Sequence, residues 1–364
     1  MSTPDLLYSD VEEDLRSSVR ALLTDRAGPT ALLARVETDT PYDLSLWKTL
    51  AADLGAAGLM VPESLGGHGA SPREVAVVME ELGRSVAPVP YLGSAVLATA
   101  ALLAAGSDLL PQLASGSAIG ALAVPLSTAP GAAFPSTVEF LDGTLTGRVS
   151  TVVDASAADL LVVPAVGPDG PGLYAVDASA ATVTEAVSLD LTRRVADVTL
   201  HSAAAQAICT GAAAADALDS ALTTAAGLLA SEQTGITEWA LTETVTYLKG
   251  RYQFGRPVGG FQSLKHRLAN LYTELVNARA AARYAADALA TGNDVPIAVS
   301  VAQARVSPIA VHAAEEAIQL HGGIGMTWEH PAHLYLKRAK SDQIAFGTPG
   351  RHRARLADLV DLPA

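Results

Sequence analysis

The residues of this 364-residue chain whose types and spacing could hold a ligand lie in its last third: Arg251, Phe254, Gln262, Gln319, Gly322, Gly323 and Thr348. Arg251 and Phe254 are three apart, so at a helix end they would share a face. A guanidinium is a planar fork that fits phosphate oxygens, and a phenyl ring packs against a flat ring. Gln319-Leu-His-Gly322-Gly323-Ile-Gly325 follows an apolar run, where glycine permits positive φ and close backbone approach. Thr348, in Ala345-Phe346-Gly347-Thr348, offers a hydroxyl to a phosphate. Proton transfer needs a different residue type, and the phenyl ring of Phe346 cannot accept a proton. Glu232, Glu238 and Glu243 share one predicted helix and could serve as a base, although solvated or paired glutamates are the ordinary case. His330 and His333 could ligate a metal from one helical face. They lack carboxylate or cysteine partners at ligand spacing, so no metal site is predicted. No Gly-x-Ser-x-Gly, Walker loop or dinucleotide fingerprint is present.

Three kinds of segment must position these residues. Residues 8–105 read mostly as helix, with an N-cap at Asp10 and a second start at Ser71-Pro72, where proline fits the first helical position. From about residue 116 the pattern changes to short β-type runs, Leu160–Pro164, Leu173–Val176 and Val195–Leu200, separated by Gly, Pro, Asp and Ser. After Ala203 helix returns. Phe261, Leu264, Leu268, Leu271 and Leu275 form an amphipathic stripe, and further helices are predicted over Val295–Leu320 and Lys337–Leu359. Pro308 should kink or interrupt the first of these. Helices, then a small sheet, then a helical bundle is an α+β order.

Composition narrows the function. The chain is 49% hydrophobic and 17% charged, with a net charge of −14, which argues against nucleic acid as a partner. Cys209 is the only cysteine, so there is no intrachain disulfide, and a small buried thiol is expected. The apolar run near Ala95–Ala105 is about half of what a membrane span needs. The N-terminus carries Asp5, Asp10, Glu12 and Glu13 rather than a basic leader. A cytoplasmic protein without membrane association is expected.

Arg251-Tyr-Gln-Phe254-Gly255, Phe261-Gln262, Gln319-Leu-His-Gly322-Gly323-Ile-Gly325 and Trp328-Glu-His-Pro-Ala-His-Leu-Tyr335, in that order, resemble the flavin-binding half of the acyl-CoA dehydrogenase family. Leu59-Met-Val-Pro-Glu-Ser-Leu-Gly-Gly-His-Gly69 and Glu80-Glu-Leu-Gly-Arg84 resemble its N-terminal signatures, so the likeness covers essentially the whole chain. The resemblance implies an N-terminal helical domain (1–115), a middle β-domain (116–205) and a C-terminal four-helix bundle (206–364). It implies FAD as cofactor, with Arg251, Phe254, Gln262, Gln319, Gly322 and Gly323 reaching the adenosine and diphosphate end of an FAD held mainly by a neighbouring subunit. Thr348 would stand beside the flavin.

Two departures shape the functional expectation. The residue before the terminal Gly-Thr is commonly the family's catalytic glutamate, and here it is Phe346. The alternative base position, on an earlier helix, aligns near Ala225. The flavin-ring elements of the β-domain are also replaced, by Leu122-Ala-Val-Pro-Leu-Ser-Thr-Ala-Pro-Gly-Ala-Ala and Leu145-Thr-Gly-Arg-Val-Ser150. The resulting expectation is a base-less subunit of an α2β2 acyl-CoA dehydrogenase. A related partner subunit would supply the glutamate, a bulky steroid side-chain CoA ester would be the substrate, and a flavoprotein would accept the electrons. The α-proton would leave to the base and the β-hydride to the flavin, giving a 2-enoyl-CoA. Two alternatives stay open: a self-sufficient homo-oligomer using a displaced base, Glu232 or Glu243, and a non-catalytic scaffold that has lost FAD.

Overall fold

The computed structural model describes residues 4–362. The N-terminal third packs helices α1 (Asp10–Arg26), α2 (Pro29–Val36), α3 (Leu44–Lys48), α4 (Pro72–Ser85), α5 (Thr99–Ala104) and α6 (Leu110–Ala114). The N-cap of α1 is Ser9 rather than Asp10: its hydroxyl accepts from the Glu12 N–H while the Glu12 carboxylate accepts from the Ser9 N–H. Ser71 and Glu74 make the same reciprocal cap on α4, with Pro72 at the first helical position as expected.

The middle of the chain forms one eight-stranded sheet: β1 (Gly120–Leu122), β2 (Val138–Leu141), β3 (Thr144–Val153), β4 (Leu160–Gly167), β5 (Gly170–Asp177), β6 (Thr182–Glu185), β7 (Val195–Ala204) and β8 (Gln206–Thr210). The order is β6-β7-β3-β2-β4-β5-β8, with β1 added parallel to β4. The sheet thus runs past residue 205, because Gln206–Thr210 pair antiparallel with Gly172–Ala175 before helix resumes. Cys209 lies there half-buried rather than fully enclosed.

The C-terminal part holds α7 (Ala212–Gly250), α8 (Gln262–Thr291), α9 (Val295–His321), α10 (Ala332–Ile344) and α11 (Pro349–Leu359). The Leu271 and Leu275 end of the predicted stripe is buried, while Leu264 and Leu268 are half-buried. The helix runs through Pro308 without interruption. One missing N–H costs less than ending a helix whose flank, including Val306, Ile309 and Ala310, is packed in the core. α9 is also long and apolar enough to cross a membrane, yet 67% of its apolar window is buried inside the protein, as for a core helix.

Two glycines bring the N-terminal helices onto this bundle. A Cβ on Gly83 of α4 would lie 1.9 Å from the Glu232 carbonyl oxygen, and a Cβ on Gly235 of α7 would lie 1.9 Å from that of Glu80. The two backbones therefore touch at a crossing that any side chain would force apart.

Candidate functional site

α7 stops at Gly250, and Arg251 leaves it extended (φ −84°, ψ 120°) while its N–H still donates to Tyr247. A two-stranded hairpin follows, β9 (Tyr252–Gln253) against β10 (Arg256–Pro257). Its turn is Phe254-Gly255, both with positive φ (52° and 74°), as a tight primed turn requires. Phe254 therefore does not share a helical face with Arg251, as the three-residue spacing predicted. It sits 90% exposed at the hairpin tip. Its ring meets Phe261 edge-on at 6.1 Å, and the Arg256 guanidinium lies 3.9 Å over the Phe261 ring.

Beside the hairpin, α9 ends at His321, and Gly322 turns the chain with φ 63°. Between these ends lies an open pocket of about 550 Å³ whose lining includes Arg251, Gln253, Arg267, Gln319, Gly322 and Gly323. The fold thus joins four of the residues singled out from sequence and adds Gln253 and Arg267. Gln262 begins α8 as an exposed residue outside the lining. A Cβ built on Gly322 or Gly323 meets nothing within 4 Å, so this backbone is open to a ligand. Arg267 is committed to Glu316 through contacts of 2.6 and 2.7 Å. Arg251 is exposed and has no carboxylate within 4.0 Å among the described residues, which leaves its fork available to an anion.

Thr348 is elsewhere in purpose. It is the N-cap of α11, and its hydroxyl accepts from the Arg351 N–H at 3.3 Å.

The region around Phe346 is closed. Phe346 and Ala225, the two positions at which a base was sought, are both fully buried and belong to one apolar cluster. The Phe346 N–H, a possible spare donor to an enolate oxygen, donates to the Leu126 carbonyl at 2.8 Å. Its own carbonyl accepts from His352 Nε2 at 2.9 Å. Along α7, Ala225 and Arg251 are separated by about 40 Å at 1.5 Å per residue. That is far more than a dinucleotide spans.

The carboxylates on α7 are differently occupied. Glu232 is 1% exposed and accepts from Arg193 and Arg338, the latter at 2.6 Å. Arg338 also holds Asp190 at 2.6 Å, and Arg193 holds Asp342 at 2.6 Å. Burial first, and then the neighbouring Glu232 charge, push Asp342 well above the usual carboxylate range. Glu232 is therefore a member of a closed ion network rather than a free base, which corrects the first fallback position. Glu238 is held by Arg279 at 2.7 Å. Glu243 is half-buried and comes together with His321 and His330, one ligand atom of each lying within 4.8 Å of the others. This group was not legible in sequence, because its members lie on separate segments. His330 stands ahead of α10, its ring 4.4 Å from that of His321, while the His333 ring meets Trp328 at 4.8 Å. The two histidines are thus not a pair on one helical face. Burial, with His321 and His333 nearby, pushes His330 down to about 4.

A helical N-terminal part, a middle sheet and a helical bundle ending in this glycine-lined pocket define an acyl-CoA dehydrogenase, and the chain belongs to that family. Residues 9–117 match the family's N-terminal domain and residues 215–360 its C-terminal domain. The chain is 38% identical over 348 residues to the acyl-CoA dehydrogenase IpdE2 of Mycobacterium tuberculosis, covering 95% of this chain and 96% of the relative. Among solved structures it is similar to the Tcur3481–Tcur3483 steroid ACAD (31% identity, TM-score 0.83, 97% and 98% of the two chains covered). It is also similar to the ChsE4–ChsE5 complex of Mycobacterium tuberculosis (27% identity, TM-score 0.85, 99% and 100% covered).

Proposed function

We propose that this chain is the base-less subunit of a heteromeric, FAD-dependent acyl-CoA dehydrogenase. The observation that carries the reading is the division along α7: Arg251 opens on a glycine-lined pocket, while Ala225 lies with Phe346 in sealed core about 40 Å away. The pocket suits the adenosine and diphosphate end of FAD. Arg251 offers a free guanidinium, Gln319 a side-chain amide, and Gly322 and Gly323 an unobstructed backbone. Phe254, exposed on the adjoining hairpin, would lie against the same ligand, with Gln262 at its edge. Thr348, which caps its own helix, is the weakest member of the expected set. When bound, FAD supplies the hydride acceptor for α,β-dehydrogenation of an acyl-CoA thioester.

In this reading a related partner subunit contributes the carboxylate that takes the α-proton. The steroid ACAD and the ChsE4–ChsE5 complex among the similar structures support both the paired assembly and a bulky, steroid-derived acyl group. A flavoprotein would accept the electrons.

The test is flavin content and turnover of the chain purified alone and after co-expression with candidate partner dehydrogenases. The expected result is little flavin and no turnover alone, with about one FAD per unlike pair and turnover in the pair. Turnover by this chain alone, at rates usual for flavin enzymes, would overturn the reading. It would return attention to Glu243 as a displaced base. The complete absence of flavin from every assembly would favour the scaffold.

A further inference from the structure

The function proposed above gives the group Glu243, His321 and His330 no contact with FAD, although His321 lines the same pocket. Three separate elements deliver it: the last third of α7, the final residue of α9, and the turn ahead of α10. His321 is the informative member. It is 2% exposed, and its Nδ1 lies 2.6 Å from the Ala317 carbonyl oxygen. Only an N–H can make that contact, so Nδ1 is the donor, and in the neutral ring Nε2 then carries the lone pair. Nε2 is buried and has no hydrogen-bond partner among the described residues. An unpaired buried acceptor is a cost the fold would shed by binding something. The Tyr247 ring, stacked on His321 at 4.4 Å, holds the imidazole in place. A backbone carbonyl that fixes the tautomer of a histidine, leaving the far nitrogen free, is the usual support of a metal ligand.

We propose that Glu243, His321 and His330 form a zinc site that pins the end of α9 to α7. Two imidazole nitrogens and one carboxylate suit Zn²⁺, with water as a fourth ligand. Zinc bonds of about 2.0–2.2 Å would set ligand atoms about 3.3 Å apart, closer than the 4.8 Å limit seen here. Glu243 and His330 are both half-buried, and metal binding would require them to rotate by a small amount to close that gap. Coordination through His330 Nε2 turns its Nδ1 into a donor, giving up a long contact of 3.3 Å from the Ala332 N–H. Entry is available from two sides. His321 lines the glycine pocket, and Glu243 lines a second cleft of about 220 Å³ beside Arg84, Trp239 and Tyr335. The zinc would fix the turn that presents Gln319, Gly322 and Gly323, a role that rests on the FAD reading; the site itself does not.

The full chain, stripped with chelator, is titrated with Zn²⁺ by calorimetry and elemental analysis, with Co²⁺ as a spectroscopic probe. One zinc per chain is expected at about 10 μM free metal, together with visible Co²⁺ bands. His321→Ala risks unfolding, so Glu243→Ala and His330→Ala carry the test. Each should weaken uptake by about 10- to 100-fold while the metal-free variants unfold as the parent does. Less than half an equivalent of zinc at that concentration, or uptake that survives either substitution, overturns the proposal. The readout needs no flavin, so failure of the shared-site reading would leave the zinc result standing, and the reverse holds as well.

Discussion

Two places along α7, Arg251 at its C-terminal end and Ala225 in its first half, differ in nearly every physical respect. At the Arg251 end the backbone is turned by glycines, the guanidinium has no carboxylate partner among the described residues, and aromatic side chains such as Phe254 and Trp328 face solvent. Around Ala225 the packing is buried and mostly apolar, with Phe346 in the same cluster, and Phe346 has even its backbone groups paired. The first region is built to meet something outside the chain; the second is finished as core. This contrast supports the proposed reading, in which a cofactor contact is kept here and the reaction centre is completed by another subunit.

The strongest way to break this comparison is to put the missing carboxylate back. Phe346→Glu should bury an unpaired acid where a phenyl ring packed, lowering unfolding free energy by about 4 kcal/mol without creating turnover. A stable variant that dehydrogenates an acyl-CoA would show that the region is an open site after all. Urea unfolding and a dye-linked assay read both outcomes.

A smaller effect sharpens the picture of the closed part of the molecule. Asp154 is fully buried, bonded by the Gly93 N–H at 2.9 Å and the Tyr42 hydroxyl at 3.2 Å. Burial pushes its carboxyl up to about 6, against the opposing pull of Arg193 and the Gly93 N–H. Between about pH 4 and 6 the folded chain therefore holds a proton that the unfolded chain has released. This group's contribution is complete below that window and is lost as pH rises through it, by about 3 kcal/mol. In Asp154→Asn the amide can keep both hydrogen bonds and does not titrate. The stability of the parent should fall relative to the variant across that window, as followed by thermal unfolding. Parallel curves would mean that water reaches Asp154 and that this part is less closed than described.

At the open end, Arg251→Ala should leave stability unchanged but weaken FAD retention by the co-expressed pair by about 2 kcal/mol, some 10- to 100-fold. Flavin release on dilution measures it, and unaltered retention would remove Arg251 from the site. The smallest effect separates Thr348 from that site: Thr348→Ala should cost about 1 kcal/mol of stability as a lost N-cap and leave flavin retention as it was. A retention defect of the size seen with Arg251→Ala would instead bring Thr348 to the cofactor.

Local rules reached a good part of this architecture. The cap at Ser71, the strand runs at Leu160 and Val195, and the apolar stripe of α8 follow from residue type and period, which the backbone reads within one or two turns. The same rules misplaced Phe254, because helical spacing was carried past a helix that had already ended. They also allowed for an interruption of α9 at Pro308, where the helix is continuous because packing outweighs one lost hydrogen bond.

By itself the sequence determined the three-part α+β order, the absence of a carboxylate at position 346, and the survival of Arg251, Gln319, Gly322 and Gly323. These are properties of residue identity and short-range pattern. Only the tertiary structure decided that Arg251 and Gln319 share one pocket and that Ala225 and Phe346 share one core. It alone locked Glu232 between two arginines and gathered Glu243 with two histidines. Each of those outcomes depends on how long helices cross, as where Gly83 lets α4 touch α7. The crossing is fixed by packing summed over the whole core and is written in no short stretch of chain.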